Sequence, residues 1–242
     1  MSSAASPDVD YNAIWTGVWD DMRRYGPMAR HSWRLMRRMT DDLGPRSILD
    51  VGGGEGSLLQ ALSAVHPKAR VVGTDLAATA VELARKLMPQ AEFAVLDVVK
   101  DRLPQSFDLI VCSDVVEHIE DDQSALNNMA AMTNPGGHVV IATLQGRMRP
   151  FERDVGHVRN YIPGELEEKM RIAGLSVDRV IAWGFPFYSP LYRDFLQGIG
   201  NRGTTGKFGL IRKLMCHGLY ALFLLNSHTR GDYLFVRGRK AS

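Results

Sequence analysis

The stretch ILDVGGGEGSLL, residues 48–59, decides how the rest of the chain is read. An apolar run reaches Asp50, passes through Gly52, Gly53, Gly54 and Gly56, and resumes as Ser57-Leu58-Leu59. Glycines at this density let the backbone turn sharply and come close to a ligand where a β-carbon would intervene. The pattern predicts a buried strand, a tight loop and a helix. The dinucleotide fingerprint G-x-G-x-x-G is not met, because counting from Gly52 puts Ser57 in the place of the third glycine. The spacing is instead Asp-x-Gly-x-Gly-x-Gly.

Outward from this loop, short apolar runs alternate with helical patterns, the arrangement expected of parallel strands joined by crossover helices. Strands are predicted at 46–52, 69–75, 92–97, 107–114 and 137–144, followed by 175–184 and a final one at 232–238. Helices are predicted over 56–66, 77–88, 121–133 and 163–174. The third is closed by the turn sequence at 134–137, and the last starts with Pro163 in its first turn. Ahead of the sheet, 11–43 reads as two helical pieces split at Tyr25-Gly26-Pro27. The expected fold is α/β, a Rossmann-like, seven-stranded, mostly parallel sheet with its last strand antiparallel and helices on its flanks. It is preceded by an N-terminal helical lid (1–44). The domain proper (45–242) carries a basic helical insertion at about 188–230.

The glycine loop resembles motif I of the class I S-adenosylmethionine-dependent methyltransferases. The likeness extends over about 46–185, through FDLIVCSDVVEHIED (107–121), MTNPGGHVVIATL (132–144) and GHVRNY (156–161). It implies S-adenosylmethionine as the cofactor, with Asp50, Gly52, Gly53, Gly54 and Gly56 beside its amino-acid part. Asp75, with Leu76, follows about twenty residues later, where a carboxylate accepts from the ribose hydroxyls. Asp97 and Val98 would lie at the adenine, and Ser113 and Asp114 beside the methyl group. Taken singly, these acids read as helix caps or turn residues. Three at consecutive strand ends after one glycine loop read as ligand contacts.

Methyl transfer from a sulfonium is an in-line displacement that needs alignment and, for an oxygen acceptor, removal of a proton. His118 and His157 are the candidate catalytic histidines, as bases or as metal ligands; His31, His66, His138, His217 and His228 take structural readings. The segment Asp114-x-x-Glu117-His118 with a distant Gly-His is similar to an acid-x-x-Glu-His arrangement in ubiquinone-pathway O-methyltransferases and in small-RNA 3′-terminal 2′-O-methyltransferases. By that resemblance the ligands of a divalent ion, magnesium or manganese, would be Asp114, Glu117, His118 and His157. Asp114 stands where those families have Glu. The competing reading is a strand end and a helix start, with Asp121 as cap and Glu117 near the helix N-terminus.

Trp183, Phe185, Phe187, Tyr188, Tyr192 and Phe195 follow the sixth strand and suggest an aromatic or lipophilic small-molecule acceptor, with core packing as the plain alternative. From Phe195 to Ser242 there are eight lysines and arginines against one acid, Asp232, so this stretch carries +7 and the remainder −5. Within it Ile211, Leu214, Met215, Gly218, Leu222 and Leu225 keep helical spacing. Packing on the domain, an acceptor pocket or a homodimer interface is expected, with a membrane surface as the other candidate. No nucleic-acid recognition module is visible, and the arginines lack the aromatic interleaving that single strands favour. Two cysteines, Cys112 and Cys216, and no secretory pattern at the start point to a cytoplasmic setting. The leading function is O-methylation of a small molecule. N- or C-methylation, RNA 2′-O-methylation and a non-catalytic cofactor-binding role stand as alternatives.

Overall fold

The computed structural model describes residues 20–194 and 206–242. The expected lid residues Tyr11, Trp15 and Trp19, and Phe195 of the aromatic segment, lie outside the described residues.

The predicted runs form strands β1 (Ser47–Val51), β2 (Arg70–Asp75), β3 (Glu92–Val95), β4 (Phe107–Ser113), β5 (Thr133–Leu144), β6 (Leu175–Trp183) and β7 (Tyr233–Lys240). They make one sheet in the order β3-β2-β1-β4-β5-β7-β6. β1 to β5 pair in parallel and β7 runs antiparallel to both β5 and β6. The order reverses between β1 and β4. In register, Val51 stands opposite Thr74 on one side and Cys112 on the other, so the loops leaving β1, β2 and β4 rise from the same edge. β5 starts earlier than the turn sequence predicts. Thr133 pairs with Phe107 and the ladder resumes at His138 with Leu109, so residues 134–137 bulge opposite Asp108. Gly136 takes φ 75°, and Asn134 donates to Asp108 Oδ1 (2.8 Å), which holds the bulge in the strand.

Helices cover both faces. On one side lie α1 (Asp20–Tyr25), α2 (Pro27–Thr40), α3 (Ser57–Val65), α4 (Ala78–Leu87) and, beyond β6, α8 (Leu210–Phe223); on the other are α5 (Asp122–Ala131) and α7 (Glu165–Ile172), with a short α6 (Pro150–Asp154) after β5. α1 ends at Gly26, where a β-carbon would stand 2.2 Å from the Met22 carbonyl oxygen, and Pro27 then opens α2. α2 buries Leu35, Met36 and Met39 against the sheet. α7 is capped by Gly164 at φ 90°, so Pro163 precedes the cap and does not belong to the first turn.

α8 departs further from expectation. It turns Cys216 and Phe223 inward, while Leu210, Ile211, Leu214, Met215 and Leu225 are each more than 60% exposed. The apolar stripe therefore faces outward and does not pack on the domain.

The end of α2 is held by one cation. Arg237 of β7 donates to the Met39 carbonyl (2.9 Å), to Asp42 Oδ1 (2.6 Å) and to both oxygens of Asp178 (2.9 and 3.0 Å). This guanidinium holds the Asp42 carboxyl below its ordinary range. A depressed carboxyl contributes stability above its unfolded pKa and loses it as pH falls. Arg237→Met is thus expected to lower Tm at pH 7 by at least about 2 °C, and the gap to wild type should narrow below about pH 4. Calorimetry at the two pH values checks both.

Candidate active site

The loop after β1 has the geometry of a ligand cradle. Gly52, Gly54 and Gly56 take φ of 68°, 57° and 88°, a region that side chains rarely enter. The Gly53 amide donates to the Thr74 carbonyl (3.0 Å) and the Gly54 amide to Asp75 Oδ2 (2.9 Å), which ties the loop to the end of β2. Beneath the loop lies Asp50, 1% exposed, with both carboxylate oxygens lacking a hydrogen-bond partner among the described residues. A β-carbon on Gly53 would stand 2.7 Å from Asp50 Oδ2. Burial, with Asp75 and Glu55 nearby, pushes the Asp50 pKa up to about 7. A buried carboxylate without donors, under a loop that excludes side chains, fits a ligand carrying an ammonium group. The amino-acid end of S-adenosylmethionine is such a ligand.

The other strand-end residues divide. Asp75 is half-buried and accepts from the Gly54 and Ala77 amides (2.9 and 2.8 Å), with Leu76 exposed beside it. Asp97 follows β3 but is engaged locally, accepting the Val99 amide (3.1 Å) and the Lys100 ammonium (2.7 Å), with Val98 buried behind it. Ser113 closes β4 and donates to Asp114 Oδ2 (3.0 Å). Asp114, at φ 57°, is the one non-glycine residue with positive φ among those described. Strain of this kind persists where neighbours hold it. Here Tyr233 donates to Asp114 Oδ2 (2.9 Å) and shares a 2.8 Å hydrogen bond with Ser32 of α2.

Glu117, His118 and His157 come together, each with one ligand-type atom within 4.8 Å of the others. Glu117 and His118 sit in a one-turn 3₁₀ helix (Val116–His118), and Asp121 separately caps α5 by accepting the Ser124 amide (3.1 Å). The helix-cap reading of Asp121 and the clustering of Glu117 with the histidines therefore coexist. The loop after β5 brings His157 in. His118 Nδ1 donates to the Gly156 carbonyl (3.1 Å), the Val158 amide donates to the Glu117 carbonyl (2.9 Å), and the two imidazole rings lie 4.6 Å apart. Because a carbonyl only accepts, Nδ1 of neutral His118 carries the proton and Nε2 holds the lone pair.

Glu117 is fully buried. Thr143 donates to its Oε2 (2.8 Å), while Oε1 has no partner among the described residues, as is also true of His157 Nδ1. Burial, then the charge of Asp114, raises the Glu117 pKa to about 8; burial, then His118, lowers that of His157 to about 4, against opposing pulls from Glu152 and Asn160. Burial also lowers the His118 pKa. Two neutral imidazoles around a carboxyl group with one oxygen lacking a donor fit a divalent cation. Asp114, the fourth residue of the expected set, is not among the three that meet: its carboxylate accepts from Tyr233, while its charge still acts on Glu117.

The aromatic segment is largely filled core. Trp183 and Tyr188 are buried and stacked at 5.2 Å, and Trp183 also lies 4.8 Å from His31. His31 donates from Nε2 to the Tyr220 carbonyl (3.0 Å) and accepts from Arg34 at Nδ1 (3.2 Å), which joins α2 to α8. Tyr233, Ser32 and Thr143 escaped the sequence reading. Tyr233 was the most accessible of them, because an antiparallel last strand must begin at the edge where the parallel strands end. A groove of about 650 Å³ lies off this centre, lined in part by Phe185, Arg149, Asp194, Arg230 and Asp232 and by none of the expected cofactor, catalytic or metal residues.

Asp50 offers a test of the cradle. Its proton is bound more tightly in the folded ligand-free chain than in the unfolded one, so stability falls as pH rises from about 4 towards 7. Asp50→Asn removes that slope. Its Tm relative to wild type is expected to be higher at pH 8 than at pH 5, while its affinity for S-adenosylhomocysteine falls about tenfold or more through loss of a charge-assisted bond. Thermal melts at the two pH values and calorimetric titration read the two effects.

Comparison with known proteins agrees with this geometry. A family profile described as "Methyltransferase domain" matches residues 49–139. The ubiquinone biosynthesis O-methyltransferase of Idiomarina loihiensis is 25% identical over 66% of this chain and 70% of its own length. That of Proteus mirabilis is 30% identical over 63% of this chain and 66% of its own. The N-methyltransferase NodS from Bradyrhizobium japonicum, solved with S-adenosyl-L-homocysteine, superposes with a TM-score of 0.60 at 18% identity, covering 92% and 93% of the two chains. With the strand order, the glycine cradle and these likenesses taken together, the chain belongs to the class I S-adenosylmethionine-dependent methyltransferases.

Proposed function

We propose that this methyltransferase acts on a hydroxyl oxygen of a small aromatic or lipophilic acceptor, assisted by a divalent metal held by Glu117, His118 and His157. The observation that carries the reading is the meeting of these three side chains beside the end of β4, with Glu117 Oε1 left without a donor. Similarity to ubiquinone biosynthesis O-methyltransferases supports oxygen as the acceptor atom. When bound, S-adenosylmethionine supplies an electrophilic methyl on a sulfonium, and a divalent ion would lower the pKa of the acceptor hydroxyl. The protein's part is to aim that oxygen along the sulfur–methyl axis and to keep water out. The hydroxyl proton leaves to solvent or to a histidine, and the oxygen lone pair forms the bond to carbon as the carbon–sulfur bond breaks with its electron pair going to sulfur, which leaves as the neutral thioether. With Asp114 outside the cluster, two imidazoles and one carboxylate remain, a softer set than expected, which favours manganese or zinc over magnesium. A second reading dispenses with metal and gives the proton to His157, whose Nδ1 has no partner among the described residues and whose low pKa keeps it neutral.

A screen of dihydroxy-aromatic acceptors by S-adenosylhomocysteine release, followed by EDTA and re-addition of manganese or zinc, separates these readings. Activity is expected to vanish with EDTA and return with metal. His157→Ala and Glu117→Gln should each lower kcat about 100-fold or more while S-adenosylhomocysteine still binds. Undiminished turnover in EDTA sinks the metal, and full activity of His157→Ala sinks both readings.

The same proposal sets α8 against a membrane surface that presents the acceptor, and α1 and α2 as the described part of the lid. Residues 206–226 carry Lys207, Arg212 and Lys213 and no acid, beside the outward apolar stripe. In a symmetric dimer on this face these cations would meet their own copies, whereas an anionic bilayer complements them. Among the described residues no helix is long and apolar enough to cross a membrane. A cytoplasmic setting, with Cys112 and Cys216 as free thiols, is part of the proposal. Sedimentation with phosphatidylglycerol vesicles should exceed that with phosphatidylcholine and be lost in Leu214→Glu/Met215→Glu. Vesicle-independent dimers split by the same pair of substitutions would replace the bilayer with a second copy.

A further inference from the structure

Next to the histidine pair lies a group of charges, buried at Glu152, Arg149 and Arg193 and exposed at its rim, for which methyl transfer has no direct use. Glu152, fully buried in α6, accepts from Arg193 through Oε1. Through Oε2 it takes the Arg149 amide (2.8 Å) and Asn160 Nδ2 (2.9 Å). Its carbonyl receives the His157 amide (2.9 Å). Arg193, 2% exposed, reaches in from the aromatic segment and gives its other terminal nitrogen to Asp232 Oδ2 (2.7 Å). Asp232 also takes Arg149 (3.0 Å), and the next residue, Tyr233, is the one that holds Asp114. Asp194 binds Arg149 (2.7 Å) and Arg147 (2.9 Å), so three cations face three acids.

Buried ion groups add little net stability compared with apolar packing, but they are costly to break and they fix geometry. A planar guanidinium whose two ends bond acids on different segments sets the distance between those segments. His157 hangs between two anchors. On one side its amide is bound to Glu152; on the other, the Val158 amide is bound to Glu117. The first anchor is as firm as the Glu152 carboxylate, and Arg193 is the cation that pairs with it.

We propose that Arg193 is a positioning residue: by spanning Glu152 and Asp232 it makes the seating of the aromatic acceptor segment and the placement of His157 a single event. The proposal rests on the reading that His157 serves the reaction. The acceptor side would then assemble as a unit, with the cofactor cradle left untouched.

The test compares Arg193→Met, Arg193→Lys and the charge-balanced pair Glu152→Gln/Arg193→Met with the wild-type chain. S-adenosylmethionine is expected to raise Tm equally in all four, since the Asp50–Gly56 loop is not involved. Hydrogen–deuterium exchange of 152–161 should rise about tenfold in Arg193→Met, with no change at 50–56. Affinity for manganese(II) alone should fall by about 10- to 100-fold, as for other residues that orient ligands, with partial recovery in Arg193→Lys. In a His157→Ala background, Arg193→Met should cost nothing further. Unchanged exchange at 152–161 overturns the proposal, as does loss of manganese affinity that simply adds to that of His157→Ala, or a parallel loss of cofactor binding that marks general unfolding. If the wild-type chain binds no manganese, the metal reading fails by itself, and the exchange data still decide for or against Arg193.

Discussion

The loop after β1 and the loop after β4 touch at Gly52, where a β-carbon would stand 2.4 Å from Val115 Cγ2. Much of the site depends on that missing side chain. β1 and β4 are neighbours at the point where the strand order reverses, the place at which an open α/β sheet leaves a crevice at its carboxyl edge. With Gly52 at φ 68° the first loop lies low enough to pass Val115. The cradle over Asp50 and the turn that carries Glu117 and His118 can then occupy one edge.

Two carboxyl groups define the electrical character of that edge. Asp50 and Glu117 are both buried, both raised in pKa chiefly by burial, and both left with an oxygen that has no donor among the described residues. Burying such groups is costly unless something positive meets them. The protein supplies Thr143 to one oxygen of Glu117 and nothing comparable to Asp50. In the proposed function each group meets a visitor of opposite charge, an ammonium for Asp50 and a metal for Glu117. Pre-organisation of this kind is maintained at the expense of the empty protein's stability.

What could be read from the residues follows from range. The strand-loop-helix unit at 48–59 is local, and the apolar runs of the inner strands are continuous because both faces are covered, so the sheet was legible. The loop joining β5 to α7 returns to the end of β4, and this return is a tertiary fact that residue types only hinted at. The direction of the Asp114 carboxylate could not be read from the residues, because it depends on a backbone angle and on Tyr233, 119 residues away. The charges around Arg193 were invisible for the same reason, being drawn from three distant segments. For α8 the spacing was right, and of the expected roles the outward facing removes only packing on the domain, since periodicity names a stripe without saying whether anything covers it.

The end of β4 is also a seam in the gene. In the proposed function, residues that build the cradle fall between Asp50 and Ser113, while those on the acceptor side fall between Glu117 and Tyr233, with a border only a few codons wide. A chain laid out this way can be recombined at one point, keeping its methyl donor and exchanging the partner that receives the methyl. Diversification of acceptors would then leave its record almost entirely downstream of Ser113.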